Sequence, residues 1–179
     1  IRDRLEGHDY EIRSIHERPG YVEALVHKGP DAVLMQWTRD SAFRFFPLVK
    51  HDELGLVLHP FDLATNKVLG LVGRLEIRDW IDVITCQERI QPLGYLAWAA
   101  CGKDPGFSPL TILEQAGRSG HYTPAELKGL AFDGPPPDLA DLSRVWHLAL
   151  TEAREIVAVL PVEQVGTCVL QRDGSLFRG

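Results

Sequence analysis

Lys67, Gly70 and Arg74 recur at intervals of three and four within residues 60–74, a segment rich in Leu, Val and Ala. On a helix those intervals set all three along one stripe. Two cations flanking a position without a side chain suit an anion, since the ammonium and guanidinium supply charge and the glycine leaves room beside the backbone. A Lys within so apolar a helix is costly unless an acid or a phosphate pairs it. Arg78, Asp79 and Asp82 follow at the spacing of a second helix, with the two acids on one face and Arg78 within reach of Asp82. Asp62, after Pro60, reads as the N-cap of the first helix. The same residues admit a purely structural reading, in which Asp79 caps, Arg78 and Asp82 pair on the surface, and Lys67 extends to water.

The order Asp62-Leu63-Ala64, Lys67, Arg74, then Arg78-Asp79 and Asp82 resembles the nucleotidyltransferase family of AbiEii/AbiGii toxins, over residues 58–83. The resemblance implies transfer of a nucleoside monophosphate from a nucleoside triphosphate to an acceptor, RNA or protein. It also implies Mg²⁺ as cofactor and a role as the toxin of a toxin–antitoxin pair, with an antitoxin protein as partner. Carried onto this chain, it makes Lys67, Asp62, Arg74 and Arg78 the nucleotide- and phosphate-binding candidates, and Asp79 and Asp82 the catalytic ones. Charge develops on phosphate oxygens in such a reaction, so positioning and electrostatics do most of the catalysis. The family draws its metal ligands from a Gly-Ser or Gly-Gly turn followed by Asp-x-Asp on a strand. This chain has no Asp-x-Asp, and its Gly174-Ser175 is followed by only four residues. Gln36 stands on an expected strand where a further acid belongs, and Asp40 lies just beyond it. The metal platform is therefore expected to be missing, and the isolated chain to be inactive. The alternative is a degenerate, non-catalytic relative whose charged helices form an internal ion network and contact a partner protein.

The whole chain fits an intracellular globular protein. Its 179 residues are enough for a sizeable core, with 45% apolar and 25% charged residues. A net charge of −6 argues against a broad electrostatic grip on nucleic acid but not against a local basic site. Three widely spaced cysteines point to reduced thiols and the cytoplasm, and no His-Glu-x-x-His is present. No apolar run reaches the roughly 20 residues of a membrane span. Residues 2–6 ahead of Gly7 read as a helix's last turn with a glycine cap, so a preceding segment is expected.

These residues are expected to sit in an α+β fold. Residues 10–16, 21–28 and 32–37 alternate and are separated by short Gly/Pro turns, which predicts an antiparallel meander. Residues 54–58 predict a short strand leading into the central helix. Phe43, Phe45 and Phe46 around Arg44 have the composition of a base-stacking platform, but also of core beneath a loop. Beyond Pro92 the chain predicts helices over 93–101, after Ser108-Pro109 and Thr123-Pro124, and from Asp138 to about residue 160. A hairpin with a type I′ turn at Asp173-Gly174 is expected last. The expected division is a partial nucleotidyltransferase-like core over 1–59 and a helical half with the C-terminal hairpin over 60–179, in one compact unit.

Overall fold

The computed structural model describes residues 2–39 and 42–179, so Asp40 lies outside the described residues. The fold is α+β, and it separates into two compact units, Ile1–Ala42 and Phe43–Gly179. The division falls ahead of the expected 59/60 boundary, so the short strands between belong with the helices.

The first unit holds helix α1 (Arg2–Glu6) and strands β1 (Glu11–Arg18), β2 (Tyr21–Lys28) and β3 (Asp31–Thr38). They form the expected antiparallel meander in the order β1-β2-β3. Gly20 and Gly29 take φ of 80° and 58° in its two turns, a conformation other residues adopt at a cost. The register pairs Val22 with Trp37, Ala24 with Met35 and Val26 with Val33 on one face, with Leu25 and Leu34 paired on the other. On the other face Gln36 is not a misplaced metal ligand. Its Nε2 donates to Glu23 at 2.6 Å, and the Tyr21 hydroxyl donates to the same carboxylate oxygen. Helix α1 ends at Glu6 as expected, with the Gly7 N–H donating to the Asp3 carbonyl at 3.1 Å, and Asp9 then turns the chain at φ 63°.

The second unit opens with a two-stranded ladder, β4 (Val49–His51) and β5 (Gly55–Val57). Helices α2 (Pro60–Arg74), α3 (Ile77–Arg89), α4 (Leu93–Lys103), α5 (Pro109–Ala116), α6 (Pro124–Lys128) and α7 (Leu139–Val159) follow. The axis of this unit is α4 rather than α2. Every residue of α4 from Leu93 through Cys101 is buried, and α2, α3, α5 and α7 all pack on it. A helix apolar around its whole circumference has to be surrounded. Its small residues let neighbours close in: a Cβ on Gly94 would lie 2.7 Å from the Ile156 Cβ and 2.9 Å from the Ala153 carbonyl oxygen.

Helix ends follow local chemistry, with corrections to the expected caps. His59, not Asp62, caps α2: its Nδ1 accepts from the Phe61 N–H at 3.2 Å, with Pro60 in the first turn. Leu75 closes that helix in the left-handed conformation at φ 54°. Asp79 does not cap α3, whose N-cap position is Glu76. Thr123 and Glu126 complete the capping box of α6, and Asp138 caps α7 by accepting from the Ala140 and Asp141 N–H groups. Asp138→Ala should therefore cost about 1 kcal/mol in urea denaturation, whereas Asp138→Asn should be nearly neutral.

The predicted C-terminal hairpin is reduced to a single bridge, Leu170 with Leu176, around Gly174 at φ 85°. It is held to the bundle by Gln91, which is fully buried and donates to the Val169 and Phe177 carbonyls. Phe45 and Phe46 pack edge-on against buried Phe61, so they are core beneath a loop rather than a stacking platform. No helix among the described residues is long and apolar enough to cross a membrane.

Candidate functional site

The α2–α3 pair carries all six candidates: Lys67–Asp82 and Arg74–Asp79 pair between the two helices, Arg78 pairs with Glu76, and Asp62 is a buried clasp. Lys67, Arg74, Arg78 and Asp82 keep solvent exposure, whereas Asp62 and Asp79 are buried. The tight left-handed turn at Leu75 then brings the end of α2 beside the start of α3. Tyr122 fixes this turn by donating from its hydroxyl to the Leu75 carbonyl at 2.9 Å. Burial, with neighbouring Glu126, Asp79 and Glu76, pushes that phenol up to about 12, so it stays a donor at neutral pH.

Arg74 and Asp79 make the strongest contact on this surface. Arg74 Nε and Nη2 both donate to the Asp79 carboxylate, at 2.8–3.0 Å. Asp79 is 1% exposed, while the Arg74 side chain is 52% exposed. Such a fork on a carboxylate fixes orientation as well as charge. It also corrects the expectation of an open gap at Gly70. A Cβ there would lie 3.0 Å from Arg74 Nη2 and 3.6 Å from Asp79 Oδ1, so the guanidinium folds into the space the glycine leaves.

Two turns earlier on α2, Lys67 Nζ meets Asp82 Oδ2 at 2.7 Å. Here both partners are accessible, with side-chain exposures of 34% and 44%. This is the arrangement expected if Lys67 is structural, but in so wet a setting the pair contributes only about 0–1 kcal/mol. Arg78 does not reach Asp82. It pairs with Glu76 at 2.7 Å.

Asp62 is placed elsewhere altogether. It is fully buried, accepting from the Phe45 and Phe46 N–H groups at 3.0 Å each and from Lys103 Nζ at 3.0 Å. The Lys103 side chain is 4% exposed, and its ammonium also donates to the Asp62 carbonyl and to Asn66 Oδ1. Three acceptors match its three protons. Asp62 therefore orients none of Lys67, Arg74 and Arg78, and contacts no ligand in this arrangement. Lys103 escaped the sequence reading because nothing about its spacing distinguishes it. The one signal was a Lys closing a wholly apolar helix, which needs a buried acid.

Burial alone would raise the Asp62 carboxyl, but the Phe45 N–H, Lys103 and the Phe46 N–H together hold it below the ordinary carboxylate range. A lowered folded value means stability that is complete above the unfolded pKa and lost as pH falls through the folded one. The melting temperature should accordingly drop as pH falls below about 4. Asp62→Asn, already less stable, should show a shallower drop.

Other chemistries find little footing. Burial pushes the Cys101 and Cys168 thiols up to about 11 and raises Cys86, so none is a ready thiolate nucleophile. Among the described residues no three His, Cys, Asp or Glu side chains are grouped to hold a metal ion. Asp62, Asp79 and Asp82 each face a cation of the chain, so the described carboxylates do not fit an Mg²⁺ platform. Lys67 and Arg74 are the cations of α2, each held by a carboxylate of α3. No family model, curated protein or solved structure matches the chain.

Proposed function

We propose that the chain is part of a nucleotidyltransferase-like protein of the AbiEii/AbiGii kind. It would work in the cytoplasm, moving a nucleoside monophosphate from a nucleoside triphosphate to an RNA or protein acceptor as the toxin of a toxin–antitoxin pair. One observation carries the reading: Lys67–Asp82 and Arg74–Asp79 both bridge α2 to α3, two turns apart on α2 and one turn apart on α3. The residues of the resemblance are thereby gathered on one surface, Asp62 and Arg78 excepted. Lys67 is the cation free to exchange partners, because its half-wet pair is weak. A triphosphate offers several charged acceptors where Asp82 offers one, and charge-assisted bonds of this kind are the strong ones. Asp79 then holds Arg74 in place rather than acting on the acceptor. The Mg²⁺ of this chemistry finds no fit among the described carboxylates, so the chain's residues are assigned binding and orientation, not transfer.

A calorimetric titration with a nucleoside triphosphate tests the reading. Lys67→Met should weaken binding about 10-fold or more, the worth of a hydrogen bond to a charged group, while stability changes by less than about 1 kcal/mol. Incubation with labelled triphosphate, Mg²⁺ and cell RNA or lysate should give no transfer by this chain alone. Robust metal-dependent transfer that survives Asp40→Ala would overturn the assignment of binding and orientation alone to this chain. The second reading, an ion network in a protein-binding module, is favoured by the 2.7 Å contact between Lys67 and Asp82. Under it Lys67→Met leaves triphosphate affinity unchanged.

A further inference from the structure

The two ion pairs of the α2–α3 surface differ in a way that suggests different jobs. Asp79 is sealed from solvent and grips Arg74 with both carboxylate oxygens. Asp82 is 44% exposed and holds Lys67 through one oxygen. The first pair cannot open without leaving a carboxylate buried and unpaired. The second can open into water, where both ions are readily solvated.

We infer that Asp82 is a displaceable stand-in for phosphate, a built-in competitor that occupies Lys67 until a polyphosphate ligand removes it. The inference rests on the reading that Lys67 meets phosphate, and it adds a regulatory role for an acid that the resemblance marks as catalytic. Its physical content is that the free protein has already satisfied Lys67. Every incoming phosphate must therefore exceed the carboxylate it replaces, so small monoanions fail while polyvalent anions succeed. Single-phosphate ligands are discriminated against by the same means. Asp79, by contrast, is a positioning residue: it keeps the Arg74 guanidinium in the space above Gly70, bound to one partner.

The experiment compares wild type, Asp82→Asn, Lys67→Met and the Lys67→Met/Asp82→Asn double variant, titrated with inorganic tripolyphosphate and with orthophosphate at low and physiological salt. Melting curves of each variant accompany the titrations. Asp82→Asn should bind tripolyphosphate roughly 5- to 20-fold more tightly than wild type and should gain measurable affinity for orthophosphate. Its melting temperature should stay near that of wild type, as expected of a wet pair. The double variant should bind no better than Lys67→Met, since without the ammonium there is nothing for Asp82 to mask. If Asp82→Asn binds equally or more weakly while Lys67→Met also loses affinity, Lys67 keeps its phosphate role and the stand-in is overturned. If Lys67→Met binds as wild type does, or neither wild type nor Asp82→Asn binds tripolyphosphate, the phosphate reading fails and the inference fails with it.

Discussion

Lys103→Met should destabilise the protein by about 3–5 kcal/mol, the cost of leaving one partner of a buried ion pair without the other. Asp62 has no exposed surface, and without Lys103 it keeps two backbone N–H donors but no countercharge. The methionine fills much of the same volume, so the loss reports electrostatics rather than a cavity. The Asn66 Oδ1 and the Asp62 carbonyl lose their shared donor as well. Because the same carboxylate binds the Phe45 and Phe46 N–H groups, the damage should reach the segment that packs these rings on Phe61. Asp62→Asn in the Lys103→Met background should recover part of the loss, because an amide tolerates burial without a cation. A double-mutant cycle in urea isolates that coupling. A cost below about 1 kcal/mol for Lys103→Met would mean that the pair is wet in solution and that Asp62 is not held by it.

The sequence made the sheet and most helices readable because each depends on local rules. The alternation of residues 21–28 and the two glycine turns fixed β2 to the residue. Ser108-Pro109, Thr123-Pro124 and Asp138 marked three helix starts correctly. What failed depended on which distant groups meet. Asp62 looks like a cap by type and by position after Pro60, and only the fold reveals that α4 delivers Lys103 to it while His59 does the capping. Arg78 and Asp82 have the spacing of a pair, but Glu76 is closer to Arg78 and Lys67 claims Asp82 from the neighbouring helix. Gly70 was legible as a gap but not as one filled by Arg74, because a side chain's reach across a turn leaves no trace in spacing. The pattern of residues 58–83 grouped Lys67, Arg74, Asp79 and Asp82 with Asp62 and Arg78, and did not say who pairs with whom.

Gly102→Ala should be the costliest single-methyl change in the second unit. An ideal Cβ at Gly102 would lie 2.2 Å from the Gly166 carbonyl oxygen and 3.0 Å from its carbonyl carbon, so the obstacle is backbone, not a flexible side chain. The approach is reciprocal: Gly166, at φ 86°, has no room for a Cβ beside the Gly102 backbone. Around this contact the chain after α7 is tied to α4 by two hydrogen bonds. Trp98 Nε1 donates to the Gln164 carbonyl at 3.0 Å, and the Gly166 N–H donates to the Trp98 carbonyl at 3.1 Å. An added methyl must push the two backbones apart and stretch both bonds, on top of the overpacking cost of about 1–3 kcal/mol. We expect a loss at or above the upper end of that range in denaturant unfolding. Because the strain is local, hydrogen exchange should show it first at the Trp98 indole and the Gly166 amide, before the α2–α3 surface loosens. Asp138→Ala provides the control: it weakens the start of α7 without touching this contact, so those two protons should lose no more protection than the rest of the core. A Gly102→Ala protein with wild-type melting and undiminished protection at Trp98 would show that the C-terminal segment does not rest on α4 in solution.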